Sequence, residues 1–521
     1  MKEKILPIEG YWINNWISRH ADINPNQLIL IDEKSGDRLT YKIFNERVER
    51  IAAFLKNELN LRKGDRVGMI SWNRIEMLST LFASAKLGCI FVPINTRYTA
   101  KEIEDYIKIF EPKVLMYEEK FTNNVEKFKK EVKIAHYIHI DEEGLKDSIT
   151  FQEARKYPKK LAKPELVTLE DPIMILQTGG TTGIPKGSIA TYRMIFWNAF
   201  VTVRDLIVPG EVTVTCVPLF HIGGYTYTIP LLIWGGTNIL MYKWNPEGLI
   251  DWIEKEKVTF QFLVPTQLKM LRESDRFKTA DFSSVRWFTT GGGALTKEIV
   301  DAFLKKGVTM KQGFGLTEVG PGVFALDPKD ALSKVGSIGK PNLLIDIKVA
   351  DGKGREVGPN KPGELLIRAP SMFGGYWNNP KETVEAIKGG WLHTGDIAKY
   401  DDEGYFYIIG RKKHVIRSGS ESIYPEEVED ILITHPKIED AAVIGVPNKK
   451  WGEVPKALIV VRKGEKIRNE EIIGYCEGKL SKYKIPKIIE FVESLARTSA
   501  GKLLRKKLAE KYGSSQSRIG G

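Results

Sequence analysis

The sequence predicts an α/β protein with a large N-terminal domain of layered α/β subdomains, a β subdomain, and a small mobile α+β C-terminal domain. Over the first 320 residues, short β-rich runs alternate with amphipathic helical runs, a pattern typical of largely parallel sheets. From about residue 335 to 407, runs such as IDIKVA and GELLIR lie between Gly, Pro and Asp turns and predict an antiparallel β subdomain. After Gly410, a basic segment leads to a helix near Pro425 and to the strands AAVIGV and KALIVV. We therefore expect domains at residues 1–410 and 411–521.

Individual elements follow from local periodicity. Apolar residues at steps of four, three and four predict one face of a helix, and they are Phe44, Val48, Ile51 and Leu55. Residues 65–71 (DRVGMIS) predict a strand, residues 74–87 a helix, and residues 89–93 (CIFVP) the next strand. The run IMIL predicts another strand directly before a glycine-rich segment, and the last nine residues, GSSQSRIGG, predict a disordered tail.

Composition excludes several classes of protein. Apolar residues make up 42% of the 521 residues and charged residues 28%, which is typical of a soluble globular protein and excludes disordered or fibrous chains. No apolar run is long enough to span a membrane, and the N-terminus lacks the apolar core of a secretory signal. The three cysteines are scattered without a CxxC pair, so we expect no disulfide framework or thiolate zinc site, and a cytoplasmic location. The chain has only seven glutamines, and a low glutamine content favours a thermophilic source organism.

The chain is basic, with a formal net charge of +12. Residues 479–511 alone carry ten Lys and Arg against three Glu. A nucleic acid, a polyanionic small molecule such as a nucleotide or coenzyme A, and a solvated basic surface would each account for this stretch. Its only aromatic residues are Tyr483 and Phe491, and it has no zinc-finger or RNA-binding pattern, so charge alone does not choose among them.

The segment with the clearest chemistry is residues 178–187, TGGTTGIPKG. Its glycines allow backbone N–H groups to converge on an anion, the threonines add hydroxyl donors, and the lysine adds positive charge. The segment does not match the Walker A pattern GxxxxGK[ST]. We predict a phosphate-binding loop, whose residues are Thr178, Gly179, Gly180, Thr181, Thr182, Gly183 and Lys186.

With this loop and the motifs that follow it, the chain resembles the acyl-adenylate-forming superfamily of acyl-CoA synthetases, peptide-synthetase adenylation domains and beetle luciferases. The further motifs, in the order of the family, are PLFHIGG, TTGGGAL, QGFGLTE, GSIGKP, WLHTGD, GRKKHVIRSGSESIYPEEVE and RTSAGK. The resemblance implies a two-step reaction with ATP, Mg²⁺ and coenzyme A. A carboxylic acid and ATP form acyl-AMP and pyrophosphate, and coenzyme A then displaces AMP to give a thioester.

The resemblance also implies a role for particular residues in the first step. Glu318 would hold Mg²⁺ on the ATP phosphates, and Thr181 and Thr317 would contact phosphate or metal-bound water. Asp396 would accept both ribose hydroxyls, with Arg411 near the ribose or phosphate. The adenine slot would be lined by Gly291, Gly292, Gly293, Gln312, Gly313 and Phe314, with the Phe314 ring stacked on the base.

Lys502, in RTSAGK, is implied as the catalytic lysine of adenylation. The attack of a carboxylate on the α-phosphate brings two anions together. Two unit charges about 4 Å apart repel by roughly 4 kcal/mol at an effective dielectric near 20. An ammonium that is positioned between them, rather than chemically reactive, would offset this repulsion.

For the second step, the resemblance implies a hinge at Lys413 and a gate at His221 between the acid and pantetheine sites. Gly419, Ser420 and Glu421 would flank the pantetheine arm of coenzyme A. The acyl pocket would include Tyr225 and Gly315. Acetate-specific relatives carry tryptophan at the position of Gly315, so we expect glycine to leave space for a medium-chain, branched or aromatic acid.

The chain departs from the family at five positions, namely Gly179, Tyr192, His414, Ser420 and Ser422. The usual residues there are serine, histidine, an acidic residue, glycine and asparagine. Ser420 adds a Cβ and a hydroxyl where the family threads pantetheine past the backbone. These extra atoms are expected to make thioester formation less efficient.

We interpret the sequence as an AMP-forming acyl-CoA ligase that acts on a small-molecule carboxylic acid, does not bind nucleic acid, and could form a homodimer. One alternative is an adenylating enzyme with an acceptor other than coenzyme A. Another is a non-catalytic protein that binds nucleotide or nucleic acid, although a pure binding protein has no need of Lys502.

Overall fold

The computed structural model describes residues 10–161, 163–178, 186–201, 210–293, 295–419, 421–497 and 503–513. In the first 160 residues the elements are α1 (Trp16–Ile23), β1 (Leu28–Asp32), β2 (Arg38–Thr40), α2 (Tyr41–Asn57), β3 (Arg66–Ile70), α3 (Ile75–Lys86), β4 (Ile90–Ile94), α4 (Ala100–Phe110), β5 (Val114–Tyr117), α5 (Thr122–Phe128), β6 (His136–His139), β7 (Ile149–Thr150) and α6 (Phe151–Arg155). The next group is β8 (Pro172–Thr178), β9 (Lys186–Thr191), α7 (Tyr192–Val201), β10 (Val212–Thr215), α8 (Thr228–Trp234), β11 (Thr237–Leu240), α9 (Pro246–Glu256), β12 (Phe260–Leu263), α10 (Pro265–Glu273), β13 (Trp287–Thr290), α11 (Lys297–Lys305), β14 (Thr309–Leu316), β15 (Gly320–Leu326) and β16 (Lys340–Pro341).

The remaining elements are β17 (Asp346–Ala350), β18 (Gly363–Arg368), α12 (Pro380–Ala386), β19 (Ile387–Lys388), β20 (Trp391–Tyr400), β21 (Phe406–Arg411), β22 (Ile416–Ser418), β23 (Glu421–Ile423), α13 (Pro425–Ile433), β24 (Ile438–Asn448), β25 (Gly452–Val461), α14 (Asn469–Cys476), β26 (Ile488–Phe491) and α15 (Arg505–Tyr512).

The chain divides into two compact units. The first comprises Met1–Asp346 and Arg368–Gly390, and the second comprises Ile347–Ile367 and Trp391–Gly521.

The first unit contains three sheets, in which parallel strand pairs outnumber antiparallel ones. One has the order β7-β6-β5-β3-β4-β8-β9 and is parallel except for the antiparallel pair β8–β9. The second has the order β10-β11-β1-β2, and the third has the order β12-β13-β14-β15-β16. In each of these the strands joined through helices pair in parallel, as the alternation of strands and helices predicts.

The predicted local elements are present within a residue or two. The four periodic residues of α2 are all buried, and Thr40 caps this helix by accepting a hydrogen bond from the Ile43 N–H. The strand, helix and strand expected between residues 65 and 93 are β3, α3 and β4. Sheets and helices pack around apolar clusters, one formed by β3, β4 and β5 with α4 and α5, and another by β10–β14 with α9–α11.

The second unit carries the antiparallel strands expected for the β subdomain and the C-terminal segment. Strand β18 pairs antiparallel with β20, and β20 pairs with β21. Farther along, β22 pairs with β23 and β25, and the long strands β24 and β25 form an antiparallel ribbon with β26 parallel at its side. The mixed α/β class is confirmed, while the division at residue 410 and the hinge at Lys413 stay predictions.

Two negative expectations can be checked on the described residues. Among them, no helix is both long and apolar enough to cross a membrane. All three cysteines are buried free thiols, and burial raises the pKa of Cys89 to about 12. These thiols belong to the packed core rather than to a reactive site.

Candidate functional site

The glycine-rich loop connects two paired strands. Strand β8 ends at Thr178 and β9 begins at Lys186, and these two residues pair across the antiparallel ladder. The strand predicted before the loop is therefore present. The loop residues themselves, which include Gly179, Gly180, Thr181, Thr182 and Gly183, lie outside the described residues.

Lys186 stands at the base of this hairpin in contact with an acidic partner. Its Nζ lies 2.5 Å from Oε2 of Glu382 and 5.3 Å from the centre of the Tyr376 ring. Glu382 lies in the first turn of α12, and its backbone N–H donates a hydrogen bond to the side chain of the N-cap residue, Asn379. An anion that enters the loop would therefore compete with Glu382 for the Lys186 ammonium.

Residues 373–377 join the loop hairpin to Glu318. The Phe373 N–H donates to the Glu318 carbonyl at 2.8 Å, and the Trp377 N–H donates to the Gly187 carbonyl at 2.8 Å. The Tyr376 hydroxyl donates to Oε1 of Glu318 at 2.8 Å. This segment, called the 373–377 strap below, brings a carboxylate 132 residues away in sequence to the base of the loop.

The donor set around Glu318 fits Mg²⁺ that arrives with a nucleotide. Among the described residues, no group of three or more His, Cys, Asp or Glu side chains could enclose a metal ion. Mg²⁺ keeps several waters and binds through one or two carboxylates plus substrate phosphates, so a single oriented carboxylate is sufficient. Thr317, beside it, accepts a long hydrogen bond of 3.5 Å from Ser188 Oγ through its carbonyl.

The two motifs expected to line the adenine slot lie at one edge of a sheet. Strands β13 and β14 run parallel with Thr290 paired to Gln312, so Gly291, Gly292 and Gly293 follow β13 directly beside Gln312 and Gly313. Gly292 has φ +81°, which favours glycine, and a Cβ on Gly291 would lie 3.1 Å from the Gly313 carbonyl oxygen. The Phe314 ring is half-buried and packs edge-on against Phe324, with centroids 5.8 Å apart.

Gly315 does not leave open space, and this expectation was wrong. A Cβ there would meet the Gly320 carbonyl oxygen and lie 2.5 Å from Cα of Pro321. The turn between β14 and β15 fills the position with backbone, because Leu316 and Gly320 pair across it. Glycine is required here by close backbone approach, so the size of the acid cannot be inferred from it.

The PLFH segment is held by an asparagine from another strand end. Asn73 donates to the carbonyls of Thr215 and Val217 at 3.1 Å each and accepts from the Leu219 N–H at 2.9 Å. His221 then precedes the one-turn 3₁₀ helix Ile222–Tyr225. The segment that carries His221 is therefore rigidly positioned although it is irregular.

Tyr225, at the end of that turn, is only 4% exposed, and burial raises the pKa of its hydroxyl. Among the described residues, nothing hydrogen-bonds this hydroxyl. A buried unsatisfied hydroxyl costs free energy, so an acid that carries a polar group could supply the missing partner.

In the second unit, Asp396 and Arg411 face each other as a cross-strand pair of β20 and β21. Asp396 is 3% exposed, and its Oδ1 lies 2.7 Å from Nε of Arg411. Arg411 also donates to the Thr394 carbonyl at 2.9 Å. Two residues chosen from separate motifs thus form one oriented ion pair.

Comparison with known proteins settles the family. The model of the AMP-binding enzyme family matches residues 17–377, and that of the AMP-binding enzyme C-terminal domain matches residues 427–502. This chain belongs to the AMP-binding enzyme family. The acyl-adenylate-forming resemblance is thereby confirmed.

Relatives of this AMP-binding enzyme match along nearly their whole length. It is 33% identical over 503 residues to a feruloyl-CoA synthase of Amycolatopsis, covering 96% of this chain and 99% of that one. It is 33% identical to an indoleacetate–CoA ligase of Aromatoleum aromaticum, covering 94% and 96%. The o-succinylbenzoate CoA synthetase of Bacillus subtilis superposes with a TM-score of 0.85 at 28% identity, covering 99% and 100%.

The predicted coenzyme A segment of this AMP-binding enzyme connects the antiparallel strands β22 and β23. Ser418 pairs with Glu421 across it, and Gly419 has φ +62°. The Gly419 N–H donates to the Trp451 carbonyl at 2.7 Å, and the Trp451 ring is 47% exposed beside the turn. Ser420 lies outside the described residues, as does Lys502.

The other departures from the family have local explanations. Tyr192 is buried at the start of α7, and its hydroxyl donates to the Ala85 carbonyl at 2.9 Å, so it is a core residue. His414, in the one-turn 3₁₀ helix Lys412–His414, lies 3.2 Å from Oε1 of Glu426, while Lys413 beside it is exposed. The Ser422 hydroxyl accepts a hydrogen bond from Arg417.

Three residues near the candidate sites are not among those that the sequence predicted, namely Tyr376, Glu382 and Trp451. The first two lie in GYWNNPKETVEA, where only the turn residues Gly, Asn and Pro stand out. Their contacts join positions more than 50 residues apart, so no local pattern could reveal them. Trp451 carried a usable signal, because an aromatic residue in the charged run PNKKWGE is unusual for a surface turn.

Proposed function

We propose that the protein is an AMP-forming acid–CoA ligase. A carboxylic acid would attack the α-phosphate of ATP to give acyl-AMP and pyrophosphate, and the thiol of coenzyme A would then displace AMP. The observation that carries this proposal is the strap, which holds the Glu318 carboxylate and Lys186 at the base of the glycine-rich loop. Relatives named feruloyl-CoA synthase, indoleacetate–CoA ligase and long-chain-fatty-acid–CoA ligase support it.

In the first step, the loop N–H groups and Lys186 would hold the ATP phosphates, with Lys186 exchanging Glu382 for phosphate. Glu318, oriented by Tyr376, would hold Mg²⁺, whose charge offsets that of the phosphates. Lys502 would bridge the attacking carboxylate and the α-phosphate. Asp396, oriented by Arg411, would accept the ribose hydroxyls.

In the second step, residues 411–521 would rotate about Lys413 as a mobile domain, so that the Gly419 turn replaces the adenylating lysine. A hinge needs only a few backbone dihedrals to change, and the exposed Lys413 lies in a short irregular connection. The turn and the exposed Trp451 ring would flank the pantetheine arm, and His221 would gate its access to the acid.

For the acid, we propose a medium-chain, branched or aromatic carboxylate. Relatives named for ferulate, indoleacetate and o-succinylbenzoate support the aromatic members of this class. The unpartnered Tyr225 hydroxyl adds a preference for acids with a polar substituent, since a buried donor left unsatisfied costs about 1–3 kcal/mol.

The test is acid-dependent ATP–pyrophosphate exchange, followed by CoA-dependent AMP release, over acids from acetate to palmitate together with hydroxylated and plain benzoates and cinnamates. The proposal expects exchange with at least one acid class and AMP release that requires coenzyme A. Exchange without a CoA requirement would favour a different acceptor. No exchange with any acid would favour a non-catalytic binding protein.

A further inference from the structure

Lys413, the residue of the proposed hinge, lies between two neighbours whose side chains are both paired with carboxylates. Before it, the Lys412 ammonium lies 2.9 Å from Oε2 of Glu364 on β18. After it, Nδ1 of His414 lies 3.2 Å from Oε1 of Glu426 on α13. A side-chain contact therefore bounds the exposed Lys413 on each side, which would confine a backbone rotation to this position.

The contact before the hinge is held by a largely buried carboxylate. The Glu364 side chain is 12% exposed, and Nδ1 of His393 on β20 lies 3.3 Å from the same oxygen that Lys412 contacts. Burial raises the pKa of Glu364, but the hydrogen bonds from Lys412 and His393 outweigh burial and lower it overall. Glu364 is thus an anion at neutral pH, and it ties Lys412 to β18.

The contact after the hinge is made by a carboxylate that also lies against the chain before the hinge. Oε1 of Glu426 is shared between His414 and the Arg505 guanidinium, which lies 3.1 Å away. Oε2 is buried, has no hydrogen-bond partner among the described residues, and faces Gly410, where a Cβ would lie 2.8 Å from it. Gly410 precedes Lys413 in the chain, so the Glu426 carboxylate spans the proposed hinge.

Arg505 holds this carboxylate to the C-terminal side of the hinge. Its guanidinium donates to both carboxylate oxygens of Glu429, at 2.7 and 2.6 Å, and to the Val443 carbonyl at 2.8 Å. A rotation at Lys413 would therefore carry Glu426 away from Gly410 and expose its carboxylate to water. Water screens charges, so the attraction between His414 and Glu426 is stronger in the arrangement seen here than after the rotation.

The charged groups at this connection come from α13, from α15 and from the segment of His414 itself. They are Glu426, Glu429, Arg505, Arg411, Lys412 and Lys413. Burial raises the pKa of Glu426, but the hydrogen bond with His414 and the charge of Arg505 outweigh burial and lower it, so Glu426 is an anion at neutral pH. Histidine is the side chain whose charge ordinarily changes between about pH 5 and 8. A protonated imidazole attracts Glu426, whereas a neutral one offers only a hydrogen bond.

We propose that His414 and Glu426 form a pH-dependent latch that holds the connection at Lys413 in the arrangement seen here. This inference rests on the proposed function, which requires a rotation at Lys413 between the two half-reactions. Acidic pH would strengthen the latch and favour the half-reaction that this arrangement serves, and a rise in pH would favour the other. His414 would be a positioning residue that acts through Glu426.

The experiment measures the two half-reactions separately at pH 6 and pH 8, as ATP–pyrophosphate exchange and as thioester formation from supplied acyl-AMP, and it compares their ratio between variants. His414→Gln removes the charge and should shift the ratio about two- to fivefold from the wild type at pH 6, the size expected for one partly exposed ion pair. At pH 8 it should match the wild type. His414→Lys keeps a permanent charge, so it should match the wild type at pH 6 and shift the ratio in the opposite direction at pH 8.

Two further variants test whether the effect passes through Glu426 and belongs to this histidine. In a Glu426→Gln background, the additional change His414→Gln should have no further effect on the ratio at either pH. The matched control is His136→Gln, which removes a partly exposed histidine from β6 of the first unit. It should give the wild-type ratio at both pH values.

The latch is refuted if the His414 variants shift the ratio by the same factor at pH 6 and pH 8, because a merely structural role does not depend on charge. It is also refuted if they leave the ratio unchanged, or if His414→Gln acts equally with and without Glu426. If the wild-type protein performs neither half-reaction, the proposed function fails instead. Hydrogen exchange of residues 412–416 at pH 6 then tests the latch directly. Faster exchange in His414→Gln than in the wild type supports it, and equal exchange overturns it.

Discussion

At the scale of single residues, one hydroxyl connects the two halves of the proposed phosphate site. Tyr376 donates to Glu318, while its ring lies beneath the Lys186 ammonium. A hydrogen bond to a carboxylate fixes the direction of its lone pairs, which decides where a metal ion or phosphate can be bound. We therefore propose that Tyr376 is a positioning residue, which would act through Glu318.

Tyr376→Phe should slow acyl-AMP formation about 10- to 100-fold, since hydrogen bonds to charged groups contribute about 1.5–3 kcal/mol. It should also raise the Mg²⁺ concentration needed for half-maximal pyrophosphate exchange. The matched control is Tyr157→Phe, which removes an exposed hydroxyl 2.6 Å from Glu58. A Mg²⁺ dependence identical to that of the wild type, with the rate alone lowered, would contradict the positioning role.

Lys502→Ala should separate the two half-reactions. If this ammonium stabilises only the adenylation transition state, acyl-AMP formation should fall about 10²- to 10³-fold, the usual cost of losing one oriented donor. Thioester formation from supplied acyl-AMP should persist. Stopped-flow measurement of each half-reaction checks this, and an equal loss in both would refute the assignment.

At the scale of elements, the hairpin of β14 and β15 shows how backbone packing can exclude a side chain. The turn after Leu316 folds the chain back so that Gly320 and Pro321 lie against Gly315. Any Cβ at that position must displace backbone, which is stiffer than a side chain. The same turn carries Glu318, so strain at Gly315 would be transmitted to the candidate site.

Gly315→Ala should therefore lower the free energy of unfolding by about 1–3 kcal/mol, the usual cost of forcing extra atoms into a packed position. Thermal unfolding followed by circular dichroism checks this. Gly358→Ala is the control, because a Cβ there would meet nothing within 4 Å. If Gly315→Ala has the same Tm as the wild type, the hairpin is more adaptable than its geometry indicates.

At the scale of the whole molecule, the proposed reaction requires one acyl-AMP to meet two different sets of residues in turn. In the proposed reaction, Lys502 would act while acyl-AMP forms, and the Gly419 turn would act while the thioester forms. A rotation at a short connection can exchange them without refolding either unit. Such a rotation requires only a few backbone dihedrals at the connection to change.

Lys413→Pro tests this device, because proline holds φ near about −65° and removes the backbone N–H. Adenylation should remain near the wild-type rate, while thioester formation falls. Pyrophosphate exchange and single-turnover acyl-CoA formation measure the two steps separately. Acyl-CoA formation at the wild-type rate would show that the rotation occurs elsewhere.

The sequence by itself determined the class of fold, the family and most of the candidate motifs. Local periodicity was sufficient to predict α2, β3 and β4. Each of these elements buries apolar residues at the spacing that its own backbone geometry imposes. The positions of the glycines also predicted the loop between β8 and β9. A set of converging backbone N–H groups requires particular residues at consecutive positions, so this signal is local as well.

Only the tertiary structure decided which side chains meet. The Tyr376–Glu318 hydrogen bond and the Lys186–Glu382 ion pair each join residues that are far apart in sequence. The sequence also did not reveal why residue 315 is glycine, because the atoms that exclude a Cβ there belong to the backbone of the following turn. Contacts of this kind depend on sheet order and on turn geometry, which a periodic pattern of residues does not encode.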